Sequence, residues 1–296
     1  MNNKIFKSGF VTIIGRPNVG KSTLMNNLVG EKLAIVSDKP QTTRNRITGI
    51  MNAPGAQVVF IDTPGIHRHK GLLNEFMVKT ARDACSEVDL ILFMVEAGKS
   101  PSEEDIDILE FLKGLGTKVF LVINKVDIVK KETVLPLIGQ YTAMHGFEEI
   151  IPVSALKSEN VENLKAAIVG CMPEGPMYYP EDELTDQPER FIVAEIIREK
   201  IFRLTQHEVP YSTAVMVEEM KDKGDIVFIR AVVYVEKDSQ KGIIIGQGGQ
   251  MLKKLGTLSR RDIEKLLGIK SYLDIWVKVK KDWREKPGAL GEMGYN

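Results

Sequence analysis

A short stretch near the start of the chain carries the residue types of a phosphate-binding loop. The sequence GRPNVGKS, from Gly15 to Ser22, fits G-x-x-x-x-G-K-[ST] between an apolar run and a helix-like segment. Glycines let backbone amides close around phosphate oxygens. Lys21 would reach the outer phosphates, and Ser22 offers a hydroxyl to Mg²⁺. The expected nucleotide contacts in this stretch are Gly15, Arg16, Pro17, Asn18, Val19, Gly20, Lys21, Ser22 and Thr23.

Two further stretches fit the magnesium side of such a site. The run VVFIDTPG ends an apolar strand in Asp62, which can hold Mg²⁺ through water, and is followed by Thr63, Pro64 and Gly65. The Gly65 N–H can face a γ-phosphate. Upstream, PQTTR contains two adjacent threonines, and we expect one of them to close over Mg²⁺ and the γ-phosphate when a nucleoside triphosphate is bound. The predicted metal ligands are Ser22, Thr42 or Thr43, and Asp62, and the predicted catalytic residues are Lys21, Thr42, Thr43 and Gly65.

The sequence INKVD indicates which base the site selects. An ionised Asp127 can accept hydrogen bonds from N1–H and the 2-amino group of guanine, whereas adenine presents an acceptor at N1. A site built this way rejects the other purine strongly, so GTP is preferred over ATP. The Asn-Lys-x-Asp pattern also argues against a nucleotide or metabolite kinase. Further expected contacts to the nucleotide are Asn124, Lys125, Asp127, Ser154, Ala155 and Leu156.

Taken together, GRPNVGKST, PQTTR, DTPG, NKVD and SAL resemble the TrmE–Era group of bacterial Ras-like GTPases, over essentially the whole chain. Ras-type enzymes orient the attacking water with a glutamine directly after D-x-x-G, but this chain has Ile66 there. Hydrolysis must therefore be organised differently. The resemblance implies GTP and GDP as ligands, Mg²⁺ as cofactor, and a K⁺ ion near Asn18 as one means of stabilising charge.

The elements that position these residues alternate between strands and helices. The apolar runs FVTIIG, QVVFIDTPG, LILFMVE, KVFLVINK and EIIPVSA are separated by segments of helical periodicity. Near-continuous apolar strands of this kind belong in a parallel sheet that is covered on both faces. We therefore predict a doubly wound α/β domain over residues 1–172.

A change of composition separates this domain from a second one. The sequence PEGPMYYPEDELTDQP is rich in proline and acidic residues and has no hydrophobic period, so residues 173–189 are predicted as a linker. Residues 190–296 follow in the order α-β-β-α-α-β if the second helical stretch breaks near Gly256. They carry 20 Lys and Arg against 15 Asp and Glu, although the whole chain has no formal net charge. This excess suggests an α+β module that meets an anion.

The glycine loop GQGG in this module resembles the loop of a type II KH domain, which clamps the backbone of single-stranded RNA. Basic residues near it would neutralise phosphates. Gln247 stands where the family generally has a basic residue, so we expect one phosphate contact fewer than in the family. The expected RNA contacts are Gly246, Gln247, Gly248, Gly249, Lys241, Lys253 and Lys254.

The resemblance implies single-stranded RNA near the 3′ end of 16S rRNA as target and a role in maturing the small ribosomal subunit. An alternative is a signalling G protein at a membrane surface, since WVKVKKDWREK mixes aromatic and basic residues. No apolar run approaches the length of a membrane span, and two isolated cysteines give no disulfide framework. We expect a cytoplasmic monomer, with peripheral membrane contact left open and no DNA partner.

Overall fold

The computed structural model describes residues 6–37, 39–66 and 71–295. Their contacts divide them into two units. The first unit contains residues up to 34, 43–66 and 77–186, and the second contains 35–42, 71–76 and the residues from 187 onward, within the described part of the chain. Two short segments from the N-terminal half of the sequence therefore belong to the C-terminal unit.

The first unit is an α/β domain. Its strands are β1 Lys7–Ile14, β2 Ile47–Ala53, β3 Ala56–Asp62, β4 Leu90–Glu96, β5 Lys118–Asn124 and β6 Glu149–Val153. Its helices are α1 Lys21–Val29, α2 Leu72–Asp83, α3 Glu103–Lys113, α4 Val134–Thr142 and α5 Val161–Cys171, although residues 72–76 of α2 belong to the second unit. The strand order is β2-β3-β1-β4-β5-β6.

The sheet of the first unit is parallel except at one edge. Strands β1, β3, β4, β5 and β6 pair in parallel, and all seven residues of β3 are buried, as expected for strands covered on both faces. The predicted doubly wound fold is confirmed. The antiparallel edge strand β2 was missed, because its sequence ITGIMNA follows a polar loop and carries a glycine.

Residues 173–186 lie along the first unit. The Ile50 backbone N–H in edge strand β2 donates to the carbonyl of Leu184 at 2.8 Å, and the Thr185 hydroxyl donates to the carbonyl of Thr48 at 2.6 Å. The buried side chain of Gln57 donates to the Tyr179 carbonyl at 2.8 Å. This proline-rich segment therefore covers backbone groups that an edge strand would otherwise leave exposed.

The second unit has the order α-β-β-α-α-β, followed by a short helix. Its helices are α6 Glu189–Leu204, α7 Asp238–Ile245, α8 Gln250–Leu267 and α9 Pro287–Glu292, and its strands are β7 Ala214–Asp222, β8 Ile226–Val235 and β9 Lys270–Val279. Strand β8 is central, antiparallel to β7 and parallel to β9. This is the predicted α+β fold.

The expected helix break near Gly256 is wrong. Helix α8 continues through Gly256, and the two helices are instead separated at the glycine loop, with α7 formed by the apolar run before it. A glycine inside a helix costs about 1 kcal/mol relative to alanine. Burial of Leu255, Ser259 and Ile263 on one face of α8 favours the continuous helix.

Candidate functional site

The phosphate-binding loop connects the end of β1 to the start of α1. Gly20 precedes α1 with φ of +104°, and a Cβ there would lie 2.3 Å from Nδ2 of Asn124. A side chain at this position is therefore excluded by backbone conformation and by space. The loop places the backbone amides at the N-terminus of α1, where the helix dipole favours an anion.

The lysine of this loop is buried and held by the loop itself. The Lys21 amine donates to the carbonyl of Gly15 at 3.0 Å and to that of Arg16 at 2.8 Å. Burial lowers the pKa of Lys21 to about 8, although the nearby carboxylate of Asp62 favours the charged form. The loop carbonyls therefore hold the amine in position, although burial removes it from water.

Three of the predicted metal ligands lie together. The Ser22 hydroxyl donates to Oδ2 of Asp62 at 2.7 Å, the Thr43 hydroxyl donates to the same oxygen at 3.2 Å, and the two hydroxyls are 2.9 Å apart. Burial raises the pKa of Asp62, while the hydrogen bonds from both hydroxyls and the charge of Lys21 oppose the rise. Oδ1 of Asp62 is buried with no partner among the described residues. Hard oxygen donors with one orphaned carboxylate oxygen fit Mg²⁺.

Thr42 lies apart from this cluster. Its hydroxyl donates to the carbonyl of Lys39 at 2.7 Å, and its own carbonyl accepts from the buried guanidinium of Arg198 on α6, within the second unit. The sequence left open which of the two threonines faces the metal. The structure brings Thr43, and not Thr42, to Ser22 and Asp62.

The segment after Asp62 packs against the phosphate-binding loop. A Cβ on Gly65 would lie 2.7 Å from the backbone nitrogen of Pro17, and the Ile66 N–H donates to the carbonyl of Gly15 at 3.3 Å. Ile66 itself is buried in the apolar core beside α3. The Thr63 hydroxyl donates to the carbonyl of Ile13 at 2.7 Å, and Pro64 is buried.

Asn124 ties the two halves of the nucleotide site together. Its Nδ2 donates to the carbonyl of Val19 at 2.7 Å, and its Oδ1 accepts from the backbone N–H of Ala155 at 2.9 Å. Asn27 of α1 donates to the carbonyl of Ala155 at 3.1 Å. The predicted phosphate and base-binding loops are therefore joined by side-chain amides.

The remaining base-side residues lie in loops at the ends of β5 and β6. Asp127 is exposed in a 3-10 turn over Val126–Ile128, Leu156 is exposed, and the Ser154 hydroxyl accepts the Lys157 N–H at 3.1 Å. An exposed carboxylate at such a turn is accessible to a base edge.

Glu96, at the end of β4, was missed by the sequence prediction. Its carboxylate lies 3.2 Å from the Lys125 amine and 3.0 Å from that of Lys99. Burial would raise the pKa of Glu96, but the hydrogen bonds and charges of these two lysines together lower it. The signal available was an acidic residue at the end of an apolar strand, as for Asp62.

The glycine loop of the second unit connects α7 to α8. Gly246, Gly248 and Gly249 have φ of +72°, +56° and +78°, and Gln247 between them is exposed. A groove of about 430 Å³ begins at this loop and runs between α8 and β9. It is lined by Gly249, Leu252, Lys253, Gly256, Thr257, Arg260, Tyr272, Leu273 and Ile275.

Of the three lysines predicted to contact RNA, the structure places Lys253 on the groove wall. Lys254 is exposed and Lys241 is partly buried on α7, and neither lines the groove. The residues of β9 on the opposite wall, including Tyr272, were not predicted. They lie some twenty residues further along the chain, and the sequence gives no sign that they face the loop.

The mixed aromatic and basic stretch at the C-terminus divides in the structure. Trp276 is exposed on β9, whereas Trp283 is fully buried and donates its indole N–H to the carbonyl of Ser212 at 2.9 Å. Trp283 thus belongs to the core of the second unit. Within the described residues, no helix combines the length and the apolar character that crossing a bilayer requires.

Two family models match the chain. Residues 10–125 match the model described as 50S ribosome-binding GTPase, and residues 208–284 match the KH domain. Among curated proteins, GTPase Era from Geotalea uraniireducens (strain Rf4) is 56% identical over 296 residues and covers both chains completely. GTPase Era from Heliobacterium modesticaldum (strain ATCC 51547 / Ice1) is 53% identical over 292 residues, covering 98% of this chain and 97% of that protein.

The chain also matches solved structures of Era. A crystal structure of Era in complex with MgGDPNP and nucleotides 1506–1542 of 16S ribosomal RNA superposes with a TM-score of 0.95 at 43% identity. The match covers 98% of this chain and 99% of that one. A variant of Era from Aquifex aeolicus bound to GDP and AlF4⁻ matches with the same score, identity and coverage.

Proposed function

The chain belongs to the Era family of GTPases, and from that premise we propose that it is a GTP-driven switch that binds single-stranded ribosomal RNA during maturation of the small ribosomal subunit. The observation that carries this proposal is the full-length likeness to a structure that holds a GTP analogue and 16S rRNA together. The chain has an intact phosphate-binding loop in one unit and a glycine loop with an open groove in the other. These two features support a function that uses both ligands.

The relatives differ in the ribosomal subunit that their descriptions name. The GTPase family model refers to the 50S subunit but covers only residues 10–125. The Era complex contains 16S rRNA and aligns with 98% of the chain, including the KH domain. RNA recognition by KH domains targets single strands. We therefore favour the 3′ end of 16S rRNA as the target.

The residues of the first unit divide the work of nucleotide binding and hydrolysis. Lys21 and the amides of the phosphate-binding loop would hold the phosphates, and Ser22, Thr43 and Asp62, which lie together, would hold the metal ion. When bound, Mg²⁺ neutralises charge that develops on the transferring phosphoryl oxygens. Asp127 selects guanine. Asp127→Asn should reduce the preference for GTP over ATP, measured by nucleotide competition, and an unchanged preference would remove this assignment.

Water is oriented by something other than the residue after D-x-x-G, since the buried side chain of Ile66 has no hydrogen-bonding group. K⁺ near Asn18 is our proposal for part of the missing electrostatic stabilisation. The GTPase rate should then be higher in KCl than in NaCl at equal ionic strength. Equal rates in the two salts would rule it out.

Two adjacent threonines, Thr42 and Thr43, could couple GTP binding to RNA binding, because they are neighbours in the chain. Within the first unit, Thr43 contacts Ser22 and Asp62 at the proposed metal site. Within the second unit, the carbonyl of Thr42 accepts from Arg198 on α6. Contacts to GTP and Mg²⁺ that pull on Thr43 would therefore strain or relax the segment bound to α6. A tenfold change in RNA affinity needs only about 1.4 kcal/mol of differential binding.

RNA affinity measured in two nucleotide states tests the switch. We would titrate labelled RNA corresponding to the 3′ end of 16S rRNA with protein loaded with GDP or with a non-hydrolysable GTP analogue, and follow fluorescence anisotropy. We expect the two affinities to differ by about tenfold. Equal affinities would refute the coupling, and no RNA binding in either state would refute the proposed function.

A membrane-surface role is the competing proposal. The burial of Trp283 removes one of the two tryptophans from the aromatic and basic surface on which that role was based. We propose a cytoplasmic monomer, since its proposed target is ribosomal RNA. Flotation with vesicles containing phosphatidylserine provides the test, and binding that survives loss of RNA binding would favour the membrane role.

A further inference from the structure

Asp105 is a fully buried carboxylate on α3 that lies outside the predicted nucleotide-binding motifs. One of its oxygens, Oδ1, accepts from Nε of Arg16 at 2.9 Å. The other, Oδ2, accepts from the Ser102 backbone N–H at 3.0 Å, the Ser102 hydroxyl at 3.0 Å and the Tyr141 hydroxyl at 3.2 Å. A single side chain thus connects the start of α3, helix α4 and the phosphate-binding loop, all within the first unit.

The contact between Asp105 and Arg16 reaches the functional lysine through the backbone. The carbonyls of Gly15 and Arg16 both accept from the Lys21 amine. Anchoring the Arg16 side chain at Asp105 restrains the backbone that carries the Arg16 carbonyl. The chain of contacts therefore runs from Asp105 through Arg16 to Lys21, with distances of 2.9 Å and 2.8 Å for its two hydrogen bonds.

The helix cap alone does not explain this arrangement. Ser102 and Asp105 form a capping box at the N-terminus of α3, and this motif uses Oδ2 of Asp105. Oδ1 is directed to Arg16 instead. The Nη2 atom of Arg16 is moreover buried with no hydrogen-bond partner among the described residues. Burying a guanidinium nitrogen unsatisfied is unfavourable for stability.

We propose that Asp105 is a positioning residue for phosphate binding: it anchors Arg16 and so holds the first half of the phosphate-binding loop in the conformation that receives the nucleotide. This inference rests on the proposed guanine-nucleotide site and adds a residue outside its motifs. A preorganised loop loses less conformational entropy when the nucleotide binds, which favours affinity. GDP and GTP use the same loop, so both should depend on Asp105.

Equilibrium binding of fluorescent GDP and of a fluorescent non-hydrolysable GTP analogue tests the proposal on the full-length chain. Asp105→Asn keeps the size of the side chain and removes its charge. We expect the Kd for both nucleotides to rise about tenfold, a loss of about 1.4 kcal/mol. Arg16→Gln should raise both Kd values by a similar factor, and the double variant should add little, because both changes break the same link.

Two matched controls separate positioning from general loss of stability. Tyr141→Phe removes a hydroxyl from the same carboxylate but leaves the Arg16 contact, and Leu109→Ala creates a cavity on the same helix, where Leu109 is buried. Each control should lower the melting temperature and change the Kd less than about twofold, measured well below the melting temperature of every variant.

The outcomes distinguish this proposal from the function on which it rests. Wild-type protein that binds no guanine nucleotide would contradict the proposed function. Wild-type binding together with an unchanged Kd in both Asp105→Asn and Arg16→Gln would overturn the positioning role. The same holds if Leu109→Ala raises the Kd as much as Asp105→Asn. Should Asp105→Asn fail to fold, an unchanged Kd in Arg16→Gln would still overturn the positioning role, since Arg16 lies in a partly exposed loop.

Discussion

The nucleotide site and the proposed RNA groove differ in how far their phosphate-binding groups are buried. In the nucleotide site, Lys21 and Asp62 are buried. The Lys21 amine donates to two backbone carbonyls, and the Asp62 carboxylate accepts from two hydroxyls. In the RNA groove, the wall lysine Lys253 is exposed, and the loop glycines lie at the surface or only partly below it. On the proposed assignments, the first site is preorganised for its ligand, whereas the second is open and would take its affinity from charge and close backbone approach.

This difference indicates which contacts tolerate change. When a substitution removes one partner of a buried hydrogen bond, the other partner is left unsatisfied, which costs about 1–3 kcal/mol of stability. An exposed lysine that is removed leaves only water behind. Substitutions in the nucleotide site should therefore have large effects on affinity or rate, and those in the groove should have small effects unless they introduce a repulsive charge.

The largest effect is expected at Thr43, with Thr42 as its matched control. Thr43→Ala removes a hydroxyl that lies 2.9 Å from Ser22 and 3.2 Å from Asp62, at the proposed metal site. We expect the GTPase rate at saturating GTP to fall about a hundredfold, or about 2.8 kcal/mol. Thr42→Ala should change the rate less than about threefold, and a reversed order would assign the metal contact to Thr42.

A charge at the glycine loop is the strongest change available in the open site. Gly248 has φ of +56°, and a Cβ there would meet no atom within 4 Å. Asn and Asp both tolerate this conformation better than most residues. Gly248→Asn is thus a control of nearly equal shape, and Gly248→Asp adds a negative charge opposite the RNA backbone.

We expect Gly248→Asp to weaken RNA binding by about 2 kcal/mol, or roughly 30-fold, because like charges are brought together. Gly248→Asn should lose no more than about fivefold. Filter binding or anisotropy with the RNA described above measures both. Equal losses in the two variants would show that shape rather than charge governs the loop.

The nucleotide site was largely predictable from sequence because its chemistry is local. A strand, a glycine loop and a helix follow one another directly at Gly15–Ser22, and Asp62, Asn124 and Ser154 each end a strand or follow one. Parallel strands bring these ends to one edge. Asp105 was not predicted because its partner Arg16 lies far away in the sequence. Glu96 was not predicted because its partner Lys125 belongs to a different motif, INKVD.

The second unit was predictable in its order of elements but not in its groove. The α-β-β-α-α-β order followed from periodicity, yet the helix break was placed at Gly256, because propensity alone disfavours glycine in a helix. Packing of one face of α8 overrides that preference. Tyr272 and Ile275 line the groove only because β9 pairs with β8, which local periodicity does not reveal.

The buried lysine of the nucleotide site predicts a pH dependence of stability and of nucleotide affinity. Burial lowers the pKa of Lys21 to about 8, below its ordinary value of 10.5. Between these values the unfolded chain holds a proton that the folded, nucleotide-free protein has released, so stability rises with pH by up to about 1.4 kcal/mol per unit. Nucleotide affinity should fall over the same window, at most about tenfold per unit, since phosphates need the charged amine.

Urea unfolding of nucleotide-free protein from pH 8 to 10 measures the contribution of Lys21 to stability. Lys21→Met shares every other titrating group and should lack this part of the rise. If the two proteins gain stability in parallel, the amine of Lys21 does not titrate in this window.

The smallest effect is expected at Lys253, and it tests whether the groove binds through individual charges. Lys253 lines the groove, whereas its neighbour Lys254 is also exposed but does not line it. Each phosphate contact with a single strand contributes about 0.7 to the slope of log K against log salt. Lys253→Ala should reduce that slope by about 0.7, while Lys254→Ala should leave it nearly unchanged. Equal reductions would mean that RNA responds to the overall charge of α8 rather than to the groove wall, so that fixed contacts would be confined to the nucleotide site.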